Sequence, residues 1–173
     1  MMTTNRQEVL QNRLGPEIED LKQQIKTIVM ATLDKDGTPN VSYAPFVIHN
    51  GEYQVLISTI ARHARNLLEV PKVSLMLIDD ESKSREIFAR RRLTFEATAR
   101  MITRQETEWQ TAIEALKNRH GHLVDELAKM QDFTLFSFKP ISGLFVKGFG
   151  KAFDVGADDL INLVHLDQGH QNI

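Results

Sequence analysis

Two stretches of the chain carry side chains able to do chemistry. The first is "VLISTIARHARNLLEVP", in which Ser58 and Thr59 end an apolar run and Arg62, His63 and Arg65 follow as an amphipathic segment opens. Hydroxyls, cations and the free backbone N–H groups of a helix start suit a phosphate or a carboxylate; the same residues would equally make a solvated, arginine-bearing helix face. The second is "INLVHLDQGHQNI", residues 161–173, where an aliphatic run holds His165, and His170 follows Gly169. An imidazole is a proton carrier near neutral pH and the commonest metal ligand. Periodicity alone does not choose between these two histidines.

The other four histidines offer less. His49 lies in the turn "IHNGE", and His120 and His122 straddle a glycine in "NRHGHL". An H-x-H pair can bind a metal, but there is no cysteine in the chain and no third ligand close by, so this pair reads as structural or solvated. Three consecutive arginines, Arg90, Arg91 and Arg92, precede "LTFEATARMI". There Leu93 and Phe95 face one way, so Arg92 and Thr94 face the other.

These residues need a scaffold, and the pattern around them is mainly β. "IVMATL" and "VSYAPFVIH" flank "DKDG", a strong hairpin signal. "HNGE" leads to a third strand, "YQVLIST". "ARHARNLLEVP" is a short helix ended before Pro71, and "KVSLMLI" is a fourth strand. "RRLTFEATARMI" alternates as a long half-buried strand. Residues 105–130 hold two helices, and "DFTLFSFKP" and "ISGLFVKGFGKAFDV" read as the last two strands. Near the start, "GPEIEDLKQQIKT" predicts a short helix opening at Pro16, with residues 1–13 polar and loose.

About half a dozen short antiparallel strands with peripheral helices imply barrel closure, which removes exposed edges. The 173 residues are expected to form a single domain, with residues 157–173 as a C-terminal arm contributing to the ligand site. A net charge of −2 gives no reason to expect a nucleic-acid partner. The absence of cysteine, of an apolar leader and of any apolar run near the ~20 residues of a membrane span point to a soluble cytoplasmic protein.

"MATLDKDGTPNVSYAPFVI" followed by "YQVLISTIARHARNLLEVPKVSLMLI" resembles the N-terminal half of the pyridoxamine 5′-phosphate oxidase-like split barrels, the FMN-binding superfamily. In that superfamily the turn matching "STIARHARNL" presents an Arg-Lys pair to the flavin phosphate; here the matching positions are Arg62 and His63. A further arginine of the family's second strand is missing from "VSYAPF", so FMN is not the expected cofactor. "RRLTFEATARMI" and "GHLVDELAKMQDFTLFSFKPISGLFVKGFGKAFDV" are similar to the heme-utilisation branch of the superfamily, the HugZ/HutZ type. This resemblance runs from about Thr27 to the C-terminus.

The resemblance implies a homodimeric split barrel that binds heme and opens it with O2 and a reductant such as ascorbate or a reductase. It favours His170 over His165 as the iron ligand, with Gly169 giving the backbone its freedom and the aliphatic residues around His165 serving as anchor. It marks Asp132 as the carboxylate partner of the ligand histidine, with Asp167 nearer in sequence but on the same tail. It places Arg62 and His63 at the anionic site, and Arg92 as a donor to O2 or to a heme propionate. A heme carrier without chemistry and a flavin-dependent oxidoreductase of the parent superfamily are the alternatives.

Overall fold

The structure, a computed structural model, describes residues 2–158 and 161–162. Its elements are α1 (Met2–Gln24), β1 (Thr27–Leu33), β2 (Pro39–His49), β3 (Glu52–Ser58), α2 (Arg62–Glu69), β4 (Lys72–Ile78), β5 (Arg92–Ile102), α3 (Thr107–His120), α4 (Leu123–Lys129), β6 (Phe133–Val146), β7 (Ala152–Gly156) and β8 (Ile161–Asn162). The hydrogen-bonded strand order is β3-β2-β1-β4-β5-β6-β7-β8, and β3 also pairs with β6. That extra pairing closes six strands, β1 to β6, into an antiparallel barrel, with β7 and β8 added beyond β6. The expected mainly-β split barrel with peripheral helices is therefore observed.

By internal contacts the chain divides into two compact units: Met1–Ile25 with Met76–Phe95 and Ile141–Ile173, and Lys26–Leu75 with Glu96–Pro140. In the second of these, the "DKDG" turn forms as expected. Gly37 takes a positive φ of 80°, and the Asp34 carboxylate accepts the backbone N–H groups of Asp36 (3.0 Å) and Thr38 (2.8 Å). The next hairpin pairs His49 with Glu52 across Asn50 and Gly51, both at positive φ, the combination that a tight two-residue β-turn requires. β3 pairs with β6 from Tyr53–Phe138 to Ser58–Phe133. Trp109, Ala112, Ile113 and Leu116 of α3 and Val124 of α4 bury their apolar faces with Val47, Leu56, Ile102 and Leu135 of the strands. At these helices' side of the sheet Gln54, wholly buried, donates to Glu108 at 2.6 Å.

The first unit departs from the sequence reading at its start. α1 begins at Met2 and passes through Pro16, so the segment expected to be loose is helical. Leu10, Leu14, Ile18 and Leu21 recur at offsets of four, four and three and are all buried, so the apolar stripe begins more than one turn before the proline. Burial along that stripe outweighs the one backbone hydrogen bond that Pro16 cannot make. Arg91 ties α1 to the chain after β4: it forms a two-pronged pair with Asp79 (3.0 and 3.1 Å) and bonds Asp20 at 3.0 Å. Gly143 lies directly against Phe95 and the Thr94 carbonyl.

The last two expected strands are also corrected. β6 runs without a break through Pro140, and the stretch read as one further strand is the second half of β6 plus β7. The register partners of β6 end at Phe138 on β3 and begin at Ser142 on β7, so the residue without an N–H falls between the two ladders.

Candidate functional site

The site assembles at the C-terminal end of β3, where that strand turns into α2. Ser58 is the last residue of β3 and pairs with Phe133, the first of β6. This register brings Asp132 against the turn. Its backbone carbonyl accepts the Thr59 N–H at 2.7 Å, and its carboxylate Oδ2 accepts the Ser58 hydroxyl at 2.6 Å. Ser58 Oγ in turn accepts the Ile60 N–H at 3.2 Å. Among the described residues the second carboxylate oxygen, Oδ1, has no hydrogen-bond donor. A half-buried carboxylate with one oxygen held and one open can orient an N–H donor that approaches it.

Four residues further along, α2 opens with Arg62 and His63. Arg62 is committed sideways: its guanidinium pairs with Asp34 at 3.3 Å. The Thr38 backbone N–H, followed by that of Asp36 and by Arg62 itself, holds the Asp34 carboxyl below the ordinary carboxylate range. The β1–β2 turn thus presents a preformed anion to the first residue of α2. His63 is different. Its Nε2 is buried and has no hydrogen-bond partner among the described residues, and burial alone pushes the imidazole below its usual pKa of 6.5. A neutral imidazole with an orphaned ring nitrogen is the feature in this turn most in need of a ligand. Behind it, Asn66 is buried and donates to Thr32 Oγ1 at 3.0 Å, fixing α2 onto β1.

The structure therefore brings Ser58, Thr59 and Asp132 together by direct hydrogen bonds, with Arg62 and His63 opening the helix that leaves the same turn. Arg92 belongs to the other unit, where its guanidinium donates to the Arg90 carbonyl at 3.4 Å. That unit holds a cleft of about 320 Å³ lined by Asp79, Arg85, Arg90, Arg91, Lys147 and Phe149; Arg90, Arg91 and Lys147 are each paired, with Glu81, Asp79 and Glu17 in turn. His165, Asp167 and His170 lie outside the described residues, as does most of the expected C-terminal arm.

His49, expected in the hairpin turn, is instead the half-buried last residue of β2. His120 Nε2 lies 2.8 Å from the Phe46 carbonyl, and His122 is 94% exposed and 4.0 Å from Asp125, so the H-x-H pair does not converge. No group of three or more His, Asp or Glu side chains among the described residues could hold a metal ion. Sequence reasoning missed Asp34, which is read there only as a turn residue; the signal was its place in a D-x-D-G turn facing an arginine-led helix. It missed Arg104 as well, which donates to three backbone carbonyls around Asp132 and stands out by type and spacing in no way.

The family model of pyridoxamine 5′-phosphate oxidase matches residues 14–147. The heme oxygenase HutZ of Vibrio cholerae is 52% identical over 168 residues, 97% of this chain and 96% of that one. The crystal structure of HutZ, there called the heme storage protein of Vibrio cholerae, superposes with a TM-score of 0.75 over 79% of this chain and 96% of its own. That of Campylobacter jejuni ChuZ superposes with a TM-score of 0.84 at 25% identity, over 94% of this chain and 66% of its own.

Proposed function

The chain belongs to the pyridoxamine 5′-phosphate oxidase family, in its HutZ-type branch, and from that premise we propose that it binds heme and degrades it with O2 and a reductant. The observation that carries the reading is Asp132: one carboxylate oxygen is held by Ser58 and the other is open, beside a turn that also bears an unpaired, neutral His63. These groups fit a heme with a histidine ligand. Bound heme supplies the iron at which O2 is activated, with electrons from a donor such as ascorbate or a reductase.

The chain's own residues have distinct parts in this reading. His170 is the iron ligand. Asp132 accepts the ring N–H of that histidine, fixing its tautomer and making it a stronger electron donor. His63 and Arg62 stand at the anionic edge of the ligand. Arg92 would serve as a donor to O2 or to a heme propionate. The protein is cytoplasmic and works as a homodimer. The exposed face of β1 and β2 supports the dimer: Val41 and Tyr43, 72% and 68% exposed, lie opposite Ala31 and Val29 and leave an unpartnered apolar surface.

The test is substitution. His170→Ala loses the bound-heme Soret band and turnover together, whereas Asp132→Asn keeps the heme and slows its loss. A His170→Ala protein with a parental spectrum and rate would overturn the ligand assignment, and unaltered turnover in Asp132→Asn would overturn the tuning role.

A second reading, a heme carrier or store without chemistry, is favoured by the name under which the Vibrio cholerae crystal structure stands. Incubation with hemin and ascorbate separates the two: loss of the Soret band with O2 but not without it means an enzyme. FMN is not the cofactor in either reading, since "VSYAPF" carries no cation. Yellow protein releasing FMN on denaturation would reverse this.

A further inference from the structure

Arg104 sits in the turn between β5 and α3. Its guanidinium donates to three backbone carbonyls of the chain running from α4 into β6: those of Ala128, of Met130 at 2.6 Å and of Phe133 at 3.1 Å. The last carbonyls of a helix have no intrahelical donor, and Ala128 and Met130 are the last turn and cap of α4. An arginine can serve several of them from one place because its donors form a rigid planar fork. The plane itself is held, since the guanidinium carbon lies 4.6 Å over the ring of Trp109, which is buried. The Trp109 N–H bonds the Glu106 carbonyl at 3.1 Å, and the Glu106 carboxylate closes back on the Thr103 N–H (2.7 Å) and hydroxyl (3.0 Å). The segment from Thr103 to Trp109 is thus a small fixed platform carrying one guanidinium.

What the platform holds is the segment that carries Asp132. Two of the carbonyls in question belong to the residue two places before Asp132 and to the residue just after it. From the opposite side the same short segment is gripped by β3, through Thr59 N–H and Ser58 Oγ. Arg104 is itself exposed, so water could satisfy these carbonyls in its absence. The guanidinium therefore adds a fixed position for the turn more than it adds satisfied hydrogen bonds.

We propose that Arg104 is a positioning residue for Asp132: by clamping the carbonyls of Ala128, Met130 and Phe133 it sets where the Asp132 carboxylate stands against Ser58 and toward the ligand. The functional half of this rests on Asp132 tuning the heme ligand as proposed above; the mechanical half does not.

The experiment uses Arg104→Met and Arg104→Lys, each alone and combined with Asp132→Asn. In the heme-free protein, amide hydrogen exchange is followed at Thr59, whose N–H is bonded to the Asp132 carbonyl. With its fixed position lost, the turn opens more readily, and exchange at Thr59 should speed by roughly tenfold in Arg104→Met, and less in Arg104→Lys, with the β1–β2 hairpin unaffected. In heme turnover with O2 and ascorbate, Arg104→Met should lower kcat without weakening heme binding, and should add nothing further in the Asp132→Asn background. Thr59 exchange at the parental rate in Arg104→Met, or independent, multiplying effects of the two substitutions on kcat, overturns the proposal. If Asp132→Asn alone turns heme over at the parental rate, the tuning reading fails, and Thr59 exchange still decides whether Arg104 holds the turn. Should Arg104→Met not fold, Arg104→Lys carries the same two readouts.

Discussion

Replacing Ser58 with alanine removes one oxygen from the centre of the site, and the structure sets what that costs. The hydroxyl donates to Asp132 Oδ2 at 2.6 Å and accepts the Ile60 N–H at 3.2 Å. Ile60 is 71% exposed, so water takes over its N–H at little cost. The bond to the carboxylate is the larger loss, of a kind worth about 1.5–3 kcal/mol. Asp132 is half-buried, so water replaces part of it and the net cost should fall near ~1–1.5 kcal/mol. In a chain of this size each kcal/mol moves Tm by about 2–4 °C, giving a drop of roughly 2–6 °C. If the same energy is what keeps Asp132 in position for the ligand, heme turnover falls by up to about tenfold, since about 1.36 kcal/mol is a factor of ten. Thermal melts of the heme-free protein and Soret decay with O2 and ascorbate read the two effects separately, and Ser58→Thr, which keeps a hydroxyl, should recover much of both. A Ser58→Ala protein that melts with the parent and degrades heme at the parental rate would refute the reasoning, because the Ser58–Asp132 bond would then hold nothing.

Three further outcomes are expected. Gly143→Ala would place a Cβ 2.5 Å from Phe95 Cε1 and 2.6 Å from the Thr94 carbonyl oxygen, a backbone atom with no rotamer to escape into, so a loss of about 1–3 kcal/mol is expected in a denaturant melt, and an unshifted midpoint would show that the contact relaxes freely. Burial holds His63 below 6.5, so the folded chain takes up that proton at a lower pH than the unfolded chain does; stability is full above about 6.5 and falls as the pH drops through the window beneath it. His63→Gln should flatten that fall, and a variant whose stability follows pH just as the parent's does would exclude His63 as its source. Tyr43→Glu puts a charge on the apolar β1–β2 face and should convert the proposed dimer to a monomer in light scattering, an outcome that a parental mass would contradict.

Local signals proved readable wherever one residue type settles one backbone problem. The D-x-D-G and H-N-G-E turns, the stop before Pro71, and the alternation that buries Leu93, Phe95, Ala97 and Ala99 all lie where their sequence predicts. The two misreadings both involve proline taken at face value. Locally, Pro16 predicts a helix start, yet the buried stripe from Leu10 to Leu21 carries the helix through it. Locally, Pro140 predicts a strand end, yet it falls where β6 passes from one partner strand to the other. Tertiary contacts decide both, and neither is visible in a short window. In the site, residue types alone picked out Ser58, Thr59, Arg62 and His63, whereas Asp132 came from family likeness; only the β3–β6 register shows that Asp132 meets Ser58. Arg104 could not be found from sequence, because its partners are backbone carbonyls, which every residue has.

The β3–β6 pairing that shuts the barrel has a consequence for how the protein comes into being. Ser58 and Asp132 are 74 residues apart in sequence, and they meet only along that seam. Hairpins such as β1–β2 and β2–β3 form early because their loops are short, while joining the ends of a long loop comes late and is slow. By that argument the site is expected to form late on the folding pathway. A chain arrested with its hairpins formed and its ring still open has no Asp132 beside Ser58 and nothing with which to grip a ligand. In the proposed reading, heme capture then serves as a checkpoint on maturation: only completed molecules load, and loading draws the closing step toward completion by mass action.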